Sequence, residues 1–274
     1  MDLSIAIADA GAPPNAFVVW RGFDDSIRKA AACGYRGVEL ALKTAGDVDA
    51  EKLARLLDLE HLAVSAISTG QVFACLGLCF THPDHAVRGR AVQVFEELIA
   101  LAERFGRTVN IGRARGGIAD GQTRAQAEGN FVECMRRLCD CAAPRGVTLV
   151  IEPVNRYEIN FINTVDEGAA LLAAVARPNA GLMPDVFHMN IEDARIGDTL
   201  VRHAPLVKYL HLADSNRLAP GRGHLDFAAV FAALKAARYN GWAAVEILPT
   251  PDPDTAAREA SAFLAPLLHA YNNE

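Results

Sequence analysis

Three carboxylates and one imidazole stand at the ends of four successive apolar segments of the chain. They are Glu152, Asp185, His211 and Glu246, and each gap between them is about the length of one strand–helix unit. Such a series brings its side chains to one edge of a parallel sheet. Two Glu, one Asp and one His suit a hard or borderline divalent ion such as Mn²⁺, Mg²⁺ or Co²⁺. The sequence therefore predicts a metal site built from these four residues.

Further polar residues follow the predicted ligands at short distances along the chain. Glu158 comes six residues after Glu152, His188 three after Asp185, and Arg217 six after His211. Because each is separated from a ligand by less than one short loop, we expect all three to lie over the same pocket.

Short apolar strands and amphipathic helices alternate along the chain and would position these residues. The predicted strands are 3–8, 37–40, 63–68, 108–111, 147–151, 181–183, 207–210 and 242–246. Eight strand–helix units in a chain of 274 residues are typical of a (β/α)₈ TIM barrel. No linker or change in composition divides the chain, so we expect residues 1–274 to form one domain. The alternative fold is a doubly wound open sheet, which would require a G-x-G-x-x-G motif after the first strand. The segment at that position, Asp9-Ala10-Gly11-Ala12-Pro13, does not match this motif.

Composition limits the possible partners. The chain is 51% hydrophobic with a formal net charge of -6, which argues against a nucleic-acid or anionic membrane partner. No apolar run has the length of a membrane span, and no basic segment follows Met1, so we expect no signal peptide and a cytoplasmic protein.

The six cysteines show no C-x-x-C pair. We expect them to be buried thiols in a reducing compartment, and a zinc knuckle from Cys139 and Cys141 is the weaker alternative.

Several segments resemble the ketose 3-epimerases, a group within the xylose-isomerase-like sugar isomerase and epimerase superfamily. The similar segments are 151–158 (IEPVNRYE), 161–167 (FINTVDE), 185–192 (DVFHMNIE), 211–217 (HLADSNR) and 220–227 (PGRGHLDF). Upstream, segments 68–71, 80–84 and 111–116 look closest to the L-ketose and 5-keto-L-gluconate epimerases. The resemblance covers nearly the whole chain and is most specific in its second half.

The resemblance implies a role for each matching residue. Glu152, Asp185, His211 and Glu246 match the family's metal ligands, which usually hold Mn²⁺ or Mg²⁺. Glu152 and Glu246 also match its acid/base pair, and Glu158, His188 and Arg217 match residues that hold the ketose near its carbonyl. The implied activity is metal-dependent inversion of C3 in a ketose or keto-sugar acid through an enediolate, by a homodimer or homotetramer.

Two features depart from this pattern or leave it open. Pro184 stands before Asp185 where related sequences usually carry another residue, and it could shift the Asp185 backbone. Arg113 and Arg115 add two guanidinium groups after the fourth strand. Two interpretations are open. Either both arginines bond to helix carboxylates, or Arg115, together with Lys43, binds a carboxylate or phosphate group of the substrate.

Other functions share this barrel. An aldose–ketose or hydroxypyruvate-type isomerase would move a proton between C1 and C2, and an inosose dehydratase would release water. An endonuclease would need more histidine ligands and a basic surface, which this acidic chain does not offer. A sugar-binding barrel without activity should have lost its acid/base pair, whereas both Glu152 and Glu246 are present.

Overall fold

The computed structural model describes residues 1–14 and 16–273. Its strands are β1 (Asp2–Ala8), β2 (Trp20–Arg21), β3 (Gly37–Ala41), β4 (Ala63–Ser68), β5 (Thr108–Ile111), β6 (Thr148–Ile151), β7 (Ala180–Leu182), β8 (Tyr209–Leu212) and β9 (Trp242–Val245). Its helices are α1 (Phe23–Ala32), α2 (Ala50–Glu60), α3 (Gly70–Leu76), α4 (His85–Arg104), α5 (Arg124–Ala142), α6 (Val165–Val175), α7 (Val186–Glu192), α8 (Ile196–Arg202), α9 (Phe227–Ala236) and α10 (Pro253–Asn273). Short 3-10 turns span Ala45–Asp47, Arg113–Arg115 and Ala143–Arg145.

Eight of the strands form a parallel barrel in the order β7-β6-β5-β4-β3-β1-β9-β8, and β2 pairs with β1. The two ends of this series meet through single bridges, Leu182 with Val207 and Asp185 with His211. At the second bridge the amide of His211 donates to the carbonyl of Pro184 over 3.0 Å. The predicted (β/α)₈ barrel is therefore confirmed, and the proline before Asp185 takes part in its closure.

Apolar side chains pack on both faces of the strands. Most of the core lies between the strands and the surrounding helices. A smaller cluster fills the inside of the barrel and comprises Ala66, Val150, Met183, Tyr209 and Ala244. This arrangement explains why the strands read as nearly continuous apolar runs.

The inner cluster also determines where the polar residues lie. Side chains two positions apart along a strand point to the same face. The residues two positions beyond Val150, Met183, Tyr209 and Ala244 are Glu152, Asp185, His211 and Glu246. The strand pleat therefore directs all four into the barrel mouth, one layer above the apolar cluster.

The main differences from the sequence-based expectations are local. His211 lies inside β8 rather than after its end, because that strand begins two residues later than predicted and continues to Leu212. The sequence did not indicate the short helices α3 and α7.

All six cysteines are free thiols, but only Cys79, Cys134 and Cys139 are buried as expected, whereas Cys75 is exposed. Among the residues described, no helix is long and apolar enough to cross a membrane.

Candidate metal centre and its cavity

One oxygen or nitrogen atom from each of Glu152, Asp185, His211 and Glu246 lies within 4.8 Å of every other. The Nδ1 atom of His211 is 3.3 Å from Glu152 Oε1 and 3.5 Å from Glu246 Oε2. Asp185 and His211 are completely buried, and Glu152 is 6% exposed. The four predicted ligands are thus brought together at the C-terminal end of the barrel.

Asp185 is held by two separate interactions. Its Oδ1 accepts from the amide of Phe187 over 2.9 Å and caps the N-terminus of α7. Its Oδ2 accepts from Arg217 over 2.8 Å. The residue is therefore both a helix cap and a member of the cluster, and its position is fixed by the start of α7.

His211 is oriented from below by a buried glutamate that the sequence reading missed. Both oxygens of Glu39 lie near His211 Nε2, at 2.9 and 3.1 Å, and Glu39 is completely buried in β3. A carboxylate that accepts from one ring nitrogen leaves the other free to bind a metal. Glu39 therefore directs the Nδ1 atom of His211 towards the cluster.

Glu152 is supported in a similar way. Asn110 in β5 donates to Glu152 Oε2 over 3.1 Å. A Cβ atom at Gly112 would lie 2.8 Å from that same oxygen, so the absence of a side chain at Gly112 leaves room for the carboxylate.

The charges of the cluster are poorly balanced by protein groups. Burial raises the pKa of the Asp185 carboxyl to about 6, against the opposing effect of Arg217. Burial lowers the pKa of His211, but the nearby carboxylates, led by Glu39 and Glu246, outweigh burial and raise that pKa well above its usual value. The raised pKa of Asp185 reflects its removal from water, and the raised pKa of His211 reflects the negative charge of the carboxylates around it.

This donor set fits a divalent cation. Three carboxylates and one imidazole, with ligand atoms close to one another, match the preferences of Mn²⁺, Mg²⁺ and Co²⁺. Among the residues described, this is the one group of three or more His, Cys, Asp or Glu side chains that could hold a metal ion. The zinc knuckle considered for Cys139 and Cys141 is thus not supported.

A cavity opens beside the cluster, and it is lined by Glu152, Glu158, His188, Arg217 and Glu246 among other residues. Asn155 Nδ2 lies 3.1 Å from Glu158 Oε1 and 2.8 Å from His188 Nδ1. Burial lowers the pKa of His188 well below its usual value, with Arg217 adding to the effect, so the imidazole is neutral. The structure therefore places the three expected substrate contacts at one cavity, next to the predicted ligands.

Arg217 is the most constrained of these three. Its guanidinium lies between the rings of Phe17 and Phe187, 4.5 and 4.7 Å from their centroids. It pairs with Asp185 and with Glu246. Aromatic rings on both faces and carboxylates at the edge leave the group one orientation, with its charge at the barrel mouth.

The expected substrate contact of Arg115 is contradicted by its position. Arg115 is completely buried and does not line the cavity. Its guanidinium donates instead to main-chain carbonyl groups, those of Gly112, Glu152, Phe161 and Ile162. Within the part of the chain that the structure describes it bonds no helix carboxylate either, and it links the β5 turn to the loop after β6.

Lys43 does not provide a free charge for a substrate either. Its ammonium pairs with Asp9 at 3.0 Å and with Asp47 at 3.4 Å.

The residues missed by sequence reading carried a detectable signal. Glu39 and Asn110 are polar residues within the apolar strands β3 and β5. A charged or amide side chain in a strand with two buried faces must have a partner. Asn155 and the two phenylalanines around Arg217 had no such signal, because loop contacts depend on tertiary structure.

The closed barrel and the metal-type centre at the C-terminal ends of its strands can be compared with proteins of known family. A family model described as xylose isomerase-like TIM barrel matches residues 27–267. The chain belongs to this family.

Relatives within the family include sugar epimerases. The chain is 33% identical over 226 residues to L-ribulose 3-epimerase of Methylomonas sp. (strain DH-1), covering 80% of this chain and 76% of that one. It is 29% identical over 236 residues to ketose 3-epimerase of Arthrobacter globiformis, covering 82% and 79%. The crystal structure of D-allulose 3-epimerase from Methylomonas sp. superposes with a TM-score of 0.84 at 26% identity, over 97% and 98% of the two chains.

We expect Glu39→Gln to weaken metal binding about 10- to 100-fold, because the amide cannot fix the tautomer of His211 as the carboxylate does. Calorimetric titration of Mn²⁺ into metal-free protein measures this. Ser4→Ala is the matched control, since Ser4 belongs to the same buried network through Tyr209 but does not contact His211. Unchanged Mn²⁺ affinity in a folded Glu39→Gln protein would contradict the assignment.

We expect Arg115→Met to lower the free energy of unfolding by about 3–5 kcal/mol, because it strips buried carbonyl groups of their donors. Arg137→Met is the control, since that arginine is exposed and pairs with Glu96 on the surface, where the loss should be about 1 kcal/mol or less. Thermal and urea unfolding measure both. If the Arg115→Met protein were as stable as the wild type but bound acidic sugars more weakly, Arg115 would be a substrate contact after all.

Proposed function

We propose that this protein is a metal-dependent ketose 3-epimerase. One observation carries the proposal: of the four clustered ligands, Glu152 and Glu246 line the cavity, whereas Asp185 and His211 are completely buried. The two carboxylates that can reach a substrate are therefore the two that an acid/base pair requires. The epimerase relatives support the same reaction.

Inversion of a carbon next to a ketone needs a proton removed from one face and returned to the other. Glu152 follows β6 and Glu246 follows β9, so they approach the cavity from different strands of the rim. Each has a carboxylate oxygen near His211 Nδ1, at 3.3 Å for Glu152 and 3.5 Å for Glu246. In our proposal one carboxylate removes the C3 proton, the other donates a proton to the opposite face, and the roles exchange in the reverse direction.

A divalent ion, which we propose to be Mn²⁺, would supply Lewis-acid stabilisation of the negative charge that develops on the substrate oxygens. Glu152, Asp185, His211 and Glu246 would hold it.

The remaining cavity residues hold the carbonyl end of the sugar. Arg217 brings a fixed positive charge to the region where the enediolate forms, and His188 adds a neutral imidazole beside it. Glu158 accepts a hydrogen bond from Asn155, and in our proposal its carboxylate also accepts from a substrate hydroxyl.

An aldose–ketose or hydroxypyruvate-type isomerase is the second candidate. The chain is 25% identical to the hydroxypyruvate isomerase of Escherichia coli (strain K12) over 84% of its length. The two activities share the base but differ in the carbon that exchanges its proton. Incubation with ketoses in D₂O separates them, since deuterium at C3 indicates epimerisation and deuterium at C1 or C2 indicates isomerisation.

We expect Glu152→Gln and Glu246→Gln each to lower the rate of epimerisation by about 10²- to 10⁴-fold, because each removes one of two proton-transfer groups. With one base left, a single epimer should still exchange its C3 proton with D₂O without inversion, and the two variants should exchange opposite epimers. Mass spectrometry and NMR of the recovered sugar measure this.

Metal content must be measured in parallel, because both residues are also predicted ligands. Asp185→Asn is the matched control, since it removes a ligand without removing a base. Full activity and full metal content in Glu246→Gln would refute the assignment of the pair.

We further propose that the protein is a cytoplasmic homodimer or homotetramer of single barrel domains. Phe263 on α10 supports an interface, because its ring packs on Phe227 yet stays 40% exposed. Size-exclusion chromatography with light scattering should give twice or four times the mass of one chain, and Phe263→Asp should lower that mass. A monomer at all concentrations would exclude this assembly.

A further inference from the structure

The cavity has a second polar wall that the proposed chemistry does not use. It is formed by β5 itself and by the segments that follow β4 and β5, and it includes Gln71, Asn110 and Arg113. Three side-chain atoms on it are buried without a hydrogen-bond partner: Gln71 Oε1, Asn110 Oδ1 and Arg113 Nε. Buried polar atoms without partners are rare in folded proteins, so three on one cavity wall indicate a polar ligand.

Arg113 differs from the other guanidinium group of the cavity. Arg217 pairs with two carboxylates, whereas no ion pair of Arg113 occurs within the described ranges 1–14 and 16–273. Its guanidinium carbon lies 5.6 Å from the ring centroid of Phe73. The side chain is half-buried and lines the cavity, so its positive charge lacks a protein counter-charge where a substrate would bind.

The position of Arg113 on the rim determines which part of a substrate it meets. In the eight-stranded barrel, β5 and β9 are four strands apart, so Arg113 and Glu246 lie on opposite sides of the mouth. A ketose whose C2 and C3 lie at the metal-type cluster would extend its remaining carbons towards the β4–β5 wall.

We propose that Arg113 binds an anionic group, a carboxylate or a phosphate, on the terminal carbon of the ketose. Gln71 Oε1 and Asn110 Oδ1 then accept from hydroxyl groups along the chain. This rests on the proposed epimerase function and makes the substrate a keto-sugar acid or a ketose phosphate. A hydroxyl group would satisfy one N–H of Arg113 but not its charge, whereas a planar guanidinium pairs with carboxylate or phosphate through two parallel hydrogen bonds.

The test compares sugars that differ at C6 alone. Metal-loaded protein is titrated calorimetrically with fructose, tagatose, psicose and sorbose, and with the 6-carboxylate and 6-phosphate of each. For at least one of these sugars we expect an acidic form to bind about tenfold or more tightly than its neutral parent. The form with the larger gain, carboxylate or phosphate, identifies the anion.

Variants assign that preference to Arg113. Arg113→Gln should bring the ratio of neutral to acidic Kd close to one, and Arg113→Lys should restore part of it. Arg195→Gln is the matched control, because Arg195 is exposed and pairs with Asp198 outside the cavity; it should keep the wild-type ratio. The proposal is overturned if no acid binds more tightly than its parent, or if Arg113→Gln leaves the ratio unchanged.

Deuterium exchange at C3, measured on the same samples, separates this proposal from the function on which it rests. Arg113-dependent binding of acids without C3 exchange would support the anion site and reject the epimerase. C3 exchange of neutral ketoses, with no preference for acids, would support the epimerase and reject the anion site.

Discussion

The constraint on which the site depends is the crowding of three carboxylates in one buried volume. The strand pleat forces them there, because each lies two residues beyond a side chain of the inner apolar cluster. Like charges this close, and this far from water, repel strongly. Arg217 offsets part of that repulsion from the edge, and the remainder favours a bound cation. The metal-type centre is therefore a consequence of strand register as much as of residue choice.

The sequence predicted the location of a side chain correctly where strand geometry alone determines it. The period of two and the common direction of parallel strands placed Glu152, Asp185, His211 and Glu246 together without knowledge of any contact. Arg115 was misjudged because its partners are distant in sequence: the carbonyl groups of Glu152, Phe161 and Ile162 are 37 to 47 residues away. No local pattern distinguishes a cation that serves the substrate from one that serves the main chain.

The two arginines of the β5 turn show how little separates these roles. Arg113 and Arg115 belong to a single 3-10 turn, in which each residue is rotated by about 120° from the last, so residues two positions apart face directions about 120° apart. One guanidinium therefore points into the protein and the other into the cavity. The sequence indicated that two cations lie at this point of the rim. The rotation of the 3-10 turn about its axis determines which of the two side chains faces the cavity.

The closure of the barrel has a consequence for its cohesion. Strands β7 and β8 are joined by isolated bridges rather than by a continuous ladder. Asp185 and His211 face each other across this junction. An ion bound by both residues would add a link between the two strands at this closure, so metal binding and the stability of the barrel would be coupled. Removal of the ion would then lower the stability of the barrel as well as the activity.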